Sequence, residues 1–122
     1  MSLADERHFG ALRGATTIEH DDPAHVRDAT RELLERMVAI NNIAVADIIS
    51  VVFTVSRDIT SEFPARAARD LGWVDVPLLC ATEIPVSGAV AHCIRVLIHV
   101  ESTRPRSELR PVYLRGAAQL RD

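Results

Sequence analysis

The chain has 122 residues, the size of one ordinary domain, and a hydrophobic content of 48%, enough for a real core. Its net charge of −3, from 14 basic against 17 acidic side chains, and its lack of a polybasic run exclude a nucleic-acid-binding composition; no apolar stretch is long enough to span a bilayer. Every basic residue is arginine, so Schiff-base lysines, phosphate-loop lysines and Ser-x-x-Lys nucleophiles are excluded.

The first residues, Met1 to His8, lack a basic segment followed by an apolar one. A signal peptide is therefore not expected, and the cytoplasm is the expected compartment. This segment, 1–8, is expected to be flexible. Phe9 to Ile18, rich in Thr, Ala and Gly around Arg13, reads as a strand. Asp22 as N-cap and Pro23 at the first helical position open a helix that runs to about Asn41. Val26, Leu33, Met37 and Ile40 recur there at helical spacing, with Ala29 and Thr30 completing the stripe, and Glu32 and Arg36 are spaced as an i,i+4 pair. Ala44 to Asp47 adds a helical turn.

Ile48 to Val55 is a β-branched run that reads as a central strand covered on both faces. Phe63 to Gly72, with Pro64 at its start and Gly72 at its end, reads as a shorter helix. Val76 to Glu83 is a further strand, Pro85 to Gly88 a turn or loop, and Ala91 to Val100 contains the strand that holds Arg95. Residues 102–111 are a connection, and Val112 to Leu120 is a short element expected to be helical at its start. This order gives one α/β (α+β) domain over 1–122 with a single mixed sheet and one long helix. A single helix of about five turns cannot cover both faces of such a sheet, so another chain is expected over the second face.

Cys93, Arg95, Leu97 and His99 share one face of their strand, and Ile94, Val96, Ile98 and Val100 share the other. The second set is the expected core. Arg95 is then a cation on a mixed face, costly if buried without an anion. Taken alone, it reads most simply as a solvated or ion-paired arginine. Arg13 repeats the pattern, followed by Gly14, which permits close approach of a backbone or ligand. Glu83 ends an apolar strand, and Tyr113 is the only tyrosine. Two arginines, a carboxylate and a phenol beside apolar segments suggest a site for a small anion. Cys80 and Cys93 are too few and too far apart for a zinc site or a Cys-x-x-Cys pair, and read as buried reduced thiols. The five histidines show no metal-ligand spacing.

In order, Leu12-Arg13-Gly14-Ala15-Thr16-Thr17, Phe63-Pro64-Ala65-Arg66-Ala67-Ala68-Arg69, Val76-Pro77-Leu78-Leu79-Cys80-Ala81-Thr82-Glu83, Cys93-Ile94-Arg95-Val96 and Val112-Tyr113-Leu114 resemble the successive motifs of the monofunctional chorismate mutases of the trimeric α/β-barrel class. The resemblance runs from about Gly10 to Arg121. It implies a homotrimer whose sheets form a pseudo-α/β-barrel, with active sites at subunit interfaces. It implies rearrangement of chorismate to prephenate on the way to phenylalanine and tyrosine, with no cofactor and no metal. It assigns Arg95 to the ether oxygen, Arg13 to a substrate carboxylate, Tyr113 to a carboxylate as hydrogen-bond donor, and Glu83 to the ring hydroxyl. Cys80 and the nearby backbone of Leu79, Ala81 and Thr82 would assist Glu83. Phe63, Ala65, Arg66 and Arg69 would come from the neighbouring subunit, the first two lining the pocket and the arginines adding positive potential at its mouth. Leu120 and Arg121 would begin a mobile tail over 119–122. Arg66 stands where a lysine is often found, and Leu79 where a small hydroxyl residue can occur.

A different class of reading stays open at this point. The same architecture serves imine-hydrolysing and ligand-binding proteins, in which the two arginines would hold another small carboxylate. A purely structural reading makes both arginines interfacial ion pairs.

Overall fold

A computed structural model describes residues 6–120. The chain forms β1 (His8–Thr17), α1 (Pro23–Ile40), β2 (Ile48–Val55), α2 (Ala65–Asp70), β3 (Leu78–Thr82), β4 (Cys93–Ser102) and β5 (Val112–Tyr113), with 3-10 turns at Val45–Asp47, Arg106–Glu108 and Arg115–Gln119. The five strands make one mixed sheet in the order β3-β2-β4-β1-β5. β4 is antiparallel to both β1 and β2, and the outer strands β3 and β5 run parallel to β2 and β1. No helix among the described residues is long and apolar enough to cross a membrane.

α1 starts where its cap chemistry dictates. The Asp22 carboxylate accepts the His25 backbone N–H at 2.8 Å, and Pro23 follows at the first turn. Val26, Ala29, Thr30, Leu33, Leu34 and Met37 are buried against the sheet. Ile40, which the periodicity places in the stripe, is exposed instead, because the chain turns away at Asn41. The buried Asn41 amide donates to the Met37 and Arg110 carbonyls and accepts the Arg110 N–H at 2.7 Å. The left-handed residue is Asn42, at φ 51°. Glu32 pairs not with Arg36 but with Arg115 Nε at 3.3 Å, while Arg31 and Glu35 take the i,i+4 geometry.

The core lies between α1, α2 and one face of the sheet. Leu12, Leu33, Leu34, Met37, Val51, Phe53, Trp73, Val96, Ile98 and Val100 form its main cluster. Gly14 belongs to this face: a Cβ there would collide with Met37 Sδ and meet Leu33 Cδ1 at 3.2 Å. The space it leaves is therefore filled by the long helix and is not open to a ligand.

Several expected boundaries shift. β1 already includes His8, which pairs with Ser102, and Arg7 binds Asp47 at 2.8 Å and the Glu101 carbonyl at 2.6 Å. The expected flexible stretch therefore does not extend through these residues. α2 is shorter than the 63–72 span, since Phe63 and Pro64 form the turn that enters it. Residues 112–113 add to the sheet edge beside Gly14 and Ala15, so the last element begins as a strand and only then becomes a 3-10 turn. β2 is covered by helices on one face only; Ile49 is exposed, and Val52 and Thr54 stay half-buried on the open side.

Candidate active site

Strand register places the chemistry on the open face in cross-strand rows. Arg95 on β4 is opposite Ala15 on β1 and Thr54 on β2. Ala15 is in turn opposite Tyr113 on β5, and Thr54 opposite Ala81 on β3. A single row thus crosses the whole sheet: Ala81, Thr54, Arg95, Ala15, Tyr113. Small side chains flank the arginine on both sides, which leaves its guanidinium room to project. The next row along carries Leu79, Val52, Leu97 and Arg13. Glu83 continues β3 by one residue past its end, and its N–H donates to the Val55 carbonyl at 2.8 Å. Because side chains alternate along a strand, Glu83 projects on the same face as Ala81 and Leu79.

Arg13, Glu83, Arg95 and Tyr113 consequently line one cavity of about 360 Å³, floored by Gly14, Ala15, Val52, Thr54, Val96 and Leu97. Two guanidiniums, one carboxylate and one phenol on an apolar floor make a pocket of net positive charge, suited to a small anion that also carries a hydroxyl. A second cavity of about 230 Å³ continues past Glu83 and Arg95 toward Ser56, Asp58, Ile84 and Cys93. The Cys93 thiol lies beside the Arg95 guanidinium, which can only donate to it. Burial pushes the Cys93 thiol above its ordinary range, and the Arg95 charge and hydrogen bond partly offset that rise.

Cys80, expected to assist Glu83 with its side chain, does not join it within one chain. Leu79 and Ala81 share its face, but Cys80 and Thr82 project to the opposite one. Cys80 packs against the core and lines a separate cavity of about 290 Å³ with Val55, Ile59, Phe63, Pro64, Ala81 and Thr82. Burial raises its thiol pKa, countered by a backbone hydrogen bond at Ala65. Within one chain, Cys80 therefore does not meet the Glu83–Arg95 pocket.

Phe63 has 69% of its surface exposed at the rim of that separate cavity. The turn before it is anchored by Asp21, which accepts the Thr60 N–H at 3.0 Å and the Ser61 hydroxyl at 2.7 Å. Ala65 is half-buried and Arg66 exposed. Arg69 turns back to donate to the Trp73 and Val74 carbonyls, closing the loop after α2. Leu120 packs near Ala15, Cys93 and Ala117 on the Tyr113 side, and Arg121 lies outside the described residues.

Thr54, Ala15 and Val52 are not singled out by the sequence, whereas Leu97 shares the Arg95 face by alternation. The alternation of the first three was readable, but their place beside Arg95 depends on pairing between strands distant in the chain.

The known proteins similar to this chain are chorismate mutases. The family model described as chorismate mutase type I matches residues 9–122. The chain is 47% identical over 111 residues to a chorismate mutase of Thermus thermophilus, covering 90% of this chain and 91% of that protein. It is 36% identical over 111 residues to a chorismate mutase of Bacillus subtilis (strain 168), covering 90% and 87%. The solved structure of a chorismate mutase from Clostridium thermocellum superposes with a TM-score of 0.89 at 41% identity, covering 90% of this chain and 98% of that one.

Proposed function

We propose that this chain, which belongs to the chorismate mutase type I family and is a chorismate mutase, performs its reaction on the open face of its sheet with Arg95 as the transition-state cation. The observation that carries the assignment is the cross-strand row that seats Arg95 between Ala15 and Thr54, facing the cavity it shares with Arg13, Glu83 and Tyr113.

The reaction is an intramolecular Claisen rearrangement. The ether C–O bond breaks as a new C–C bond forms, and no nucleophile, redox partner or proton donor is required. Chorismate carries two carboxylates and must fold its side chain over the ring before the bonds can exchange. A pocket that holds this conformer supplies much of the barrier reduction through orientation. Arg13 binds one carboxylate and Tyr113 donates to a carboxylate. Glu83 accepts from the ring hydroxyl, and Val52 and Leu97 supply the apolar floor. Negative charge accumulates on the ether oxygen as the bond breaks. A fixed guanidinium there meets more charge in the transition state than in the bound substrate, which is the condition for raising kcat.

The working assembly in this reading is a homotrimer, located in the cytoplasm, with each site shared between two subunits. Support comes from the uncovered sheet face and from the division of the family's motif residues between two faces of β3. The neighbouring subunit then contributes Phe63, Ala65, Arg66, Cys80 and Thr82, with Leu120 and Arg121 in a tail that closes over the substrate.

The direct test is to follow the enol-ether absorbance of chorismate in the presence of the purified protein. Acceleration over buffer, with prephenate as product, is the expected result. Light scattering of the same sample should give three times the 13.4 kDa chain mass. No acceleration over buffer would refute the activity, and a monomer at working concentration would refute the shared site.

A further inference from the structure

We propose that Asp58 is a positioning residue for this reaction: it clamps the entry of β4 and so sets where Arg95 projects. The inference rests on the reading of Arg95 given above.

One Asp58 carboxylate serves two strand ends. Its Oδ2 accepts the His92 backbone N–H at 2.9 Å, and its Oδ1 accepts the Ser56 hydroxyl. The Ser56 hydroxyl oxygen in turn accepts the Cys93 N–H at 2.9 Å, while the Ser56 N–H donates to the Cys93 carbonyl at 3.0 Å. On the other side of β4, the Ile18 N–H donates to the His92 carbonyl at 3.0 Å. The first residues of β4 are thus held from both neighbours. His92 itself sits at φ 47°, in the left-handed region that a β-carbon disfavours. Its side chain does not offset this through a close ion pair, since Nε2 stands 3.9 Å from Asp58 Oδ2. The hydrogen bond from the His92 N–H to Asp58 is what rewards the left-handed turn.

The consequence falls on Arg95, three residues later. A slip of one residue in β4 exchanges its two faces, sending Arg95 toward Leu12 and Phe53 and putting Ile94 or Val96 in the cavity. A smaller rotation displaces the guanidinium without unfolding anything. Ser56, Asp58, Glu83, Cys93 and Arg95 also surround one continuous cavity, so the clamp is adjacent to two of the charged groups that the reaction uses, Glu83 and Arg95. A carboxylate that only stabilised a surface turn would affect melting but not turnover of the folded enzyme.

The experiment measures kcat and KM for chorismate, with thermal midpoint and oligomeric mass, for Asp58→Asn, Asp58→Ala, Asp58→Ala/His92→Gly, and Arg95→Ala with and without Asp58→Ala. Asn keeps an acceptor for His92 and offers its amide to the Ser56 oxygen, so kcat should stay within about threefold of the unaltered protein. Ala should lower kcat by about 10- to 100-fold with KM changed less than about threefold, the pattern of a misplaced transition-state group. Glycine adopts the left-handed turn without a carboxylate to hold it, so His92→Gly should return most of the lost kcat. In the Arg95→Ala background the Asp58 change should add nothing. An Asp58→Ala kcat within about threefold of the unaltered protein, or no recovery on adding His92→Gly, overturns the proposal. If Asp58→Ala does not fold, Asp58→Ser, which keeps one acceptor, is compared with and without His92→Gly under the same criterion. If Arg95→Ala itself retains kcat, the reading of the site fails, whatever Asp58 does.

Discussion

Replacing Arg95 with alanine tests the central assignment most directly. The side chain lies on the open sheet face, half-buried, while Ile94 and Val96 on either side remain in the core. Truncation leaves no internal void, so the stability change should be below about 1 kcal/mol. The catalytic loss should be far larger. A neutral preorganised donor to a developing oxyanion is worth about 3–4 kcal/mol. Charge-assisted hydrogen bonds run about twice as strong as neutral ones, giving roughly 6 kcal/mol, or about 10⁴-fold in kcat. The loss should fall on kcat more than on KM, because the group faces more charge in the transition state than in the ground state. Arg95→Lys, which keeps the charge but not the planar fork, should fall between the two. Loss of chorismate absorbance under saturating substrate gives kcat, and circular dichroism with light scattering checks fold and assembly. A kcat reduced less than about tenfold in folded Arg95→Ala would show that the cation does not face the reacting bond.

Two further expectations follow from local geometry. Gly14→Ala forces a methyl group into Met37 on α1, with Leu33 Cδ1 at 3.2 Å from it, and should cost about 1–3 kcal/mol in urea unfolding; an unchanged midpoint would mean that the helix can withdraw freely. Hydrogen bonds from Ser61 and Thr60 hold the Asp21 carboxyl below the usual aspartate range. A depressed folded-state pKa contributes stability that is present above the unfolded value of about 3.9 and is lost as pH falls through the folded value. Asp21→Asn should therefore flatten the fall of stability on the acid side, below about pH 4, and leave a smaller difference from the unaltered protein at low pH than at neutral pH. Parallel curves from pH 3 to 6 would remove Asp21 from the account.

Much of this fold was readable from the residues because single elements declare themselves by period. Asp22-Pro23 fixed the start of α1, and the alternation of β4 separated Ile94, Val96, Ile98 and Val100 from Arg95 and Leu97. What was not readable depends on partners far along the chain. Glu32 pairs with Arg115 and not with the residue one turn away, because the last 3-10 turn folds back across the helix. Gly14 serves Met37, and no local pattern names that neighbour. Thr54 and Ala15 join the site only through cross-strand register. Cys80 is a different case. Its separation from Glu83 was legible in the alternation Leu79, Ala81, Glu83, and the family motif, which runs the residues together, obscured it.

That separation has a physical consequence for assembly. β3 is an edge strand, and Arg95 lies two strands in from it, about 10 Å away at the usual strand spacing. Leu79, Ala81 and Glu83 look toward Arg95, whereas Cys80 and Thr82 look toward Phe63 through the other side of the same strand. No rotation of side chains lets one chain place both Cys80 and Arg95 against a single small molecule, because the sheet itself stands between them. If both sets bind chorismate, each site takes Arg95 from one subunit and the Phe63–Cys80 side from another. Mixed assemblies decide this. Arg95→Ala and Phe63→Arg are each expected to be inactive alone, the first for lack of the cation and the second because a bulky charge fills the apolar rim. After co-refolding at equal amounts, some assemblies pair an intact Arg95 half with an intact Phe63 half. Activity should then return to a sizeable fraction of the unaltered enzyme, up to about a quarter if subunits mix at random and each site draws on two chains. Sites built within one chain would stay dead in every mixture, so absence of recovery in verified mixed trimers would overturn the shared site, and a Phe63→Arg variant that is active by itself would place Phe63 outside it.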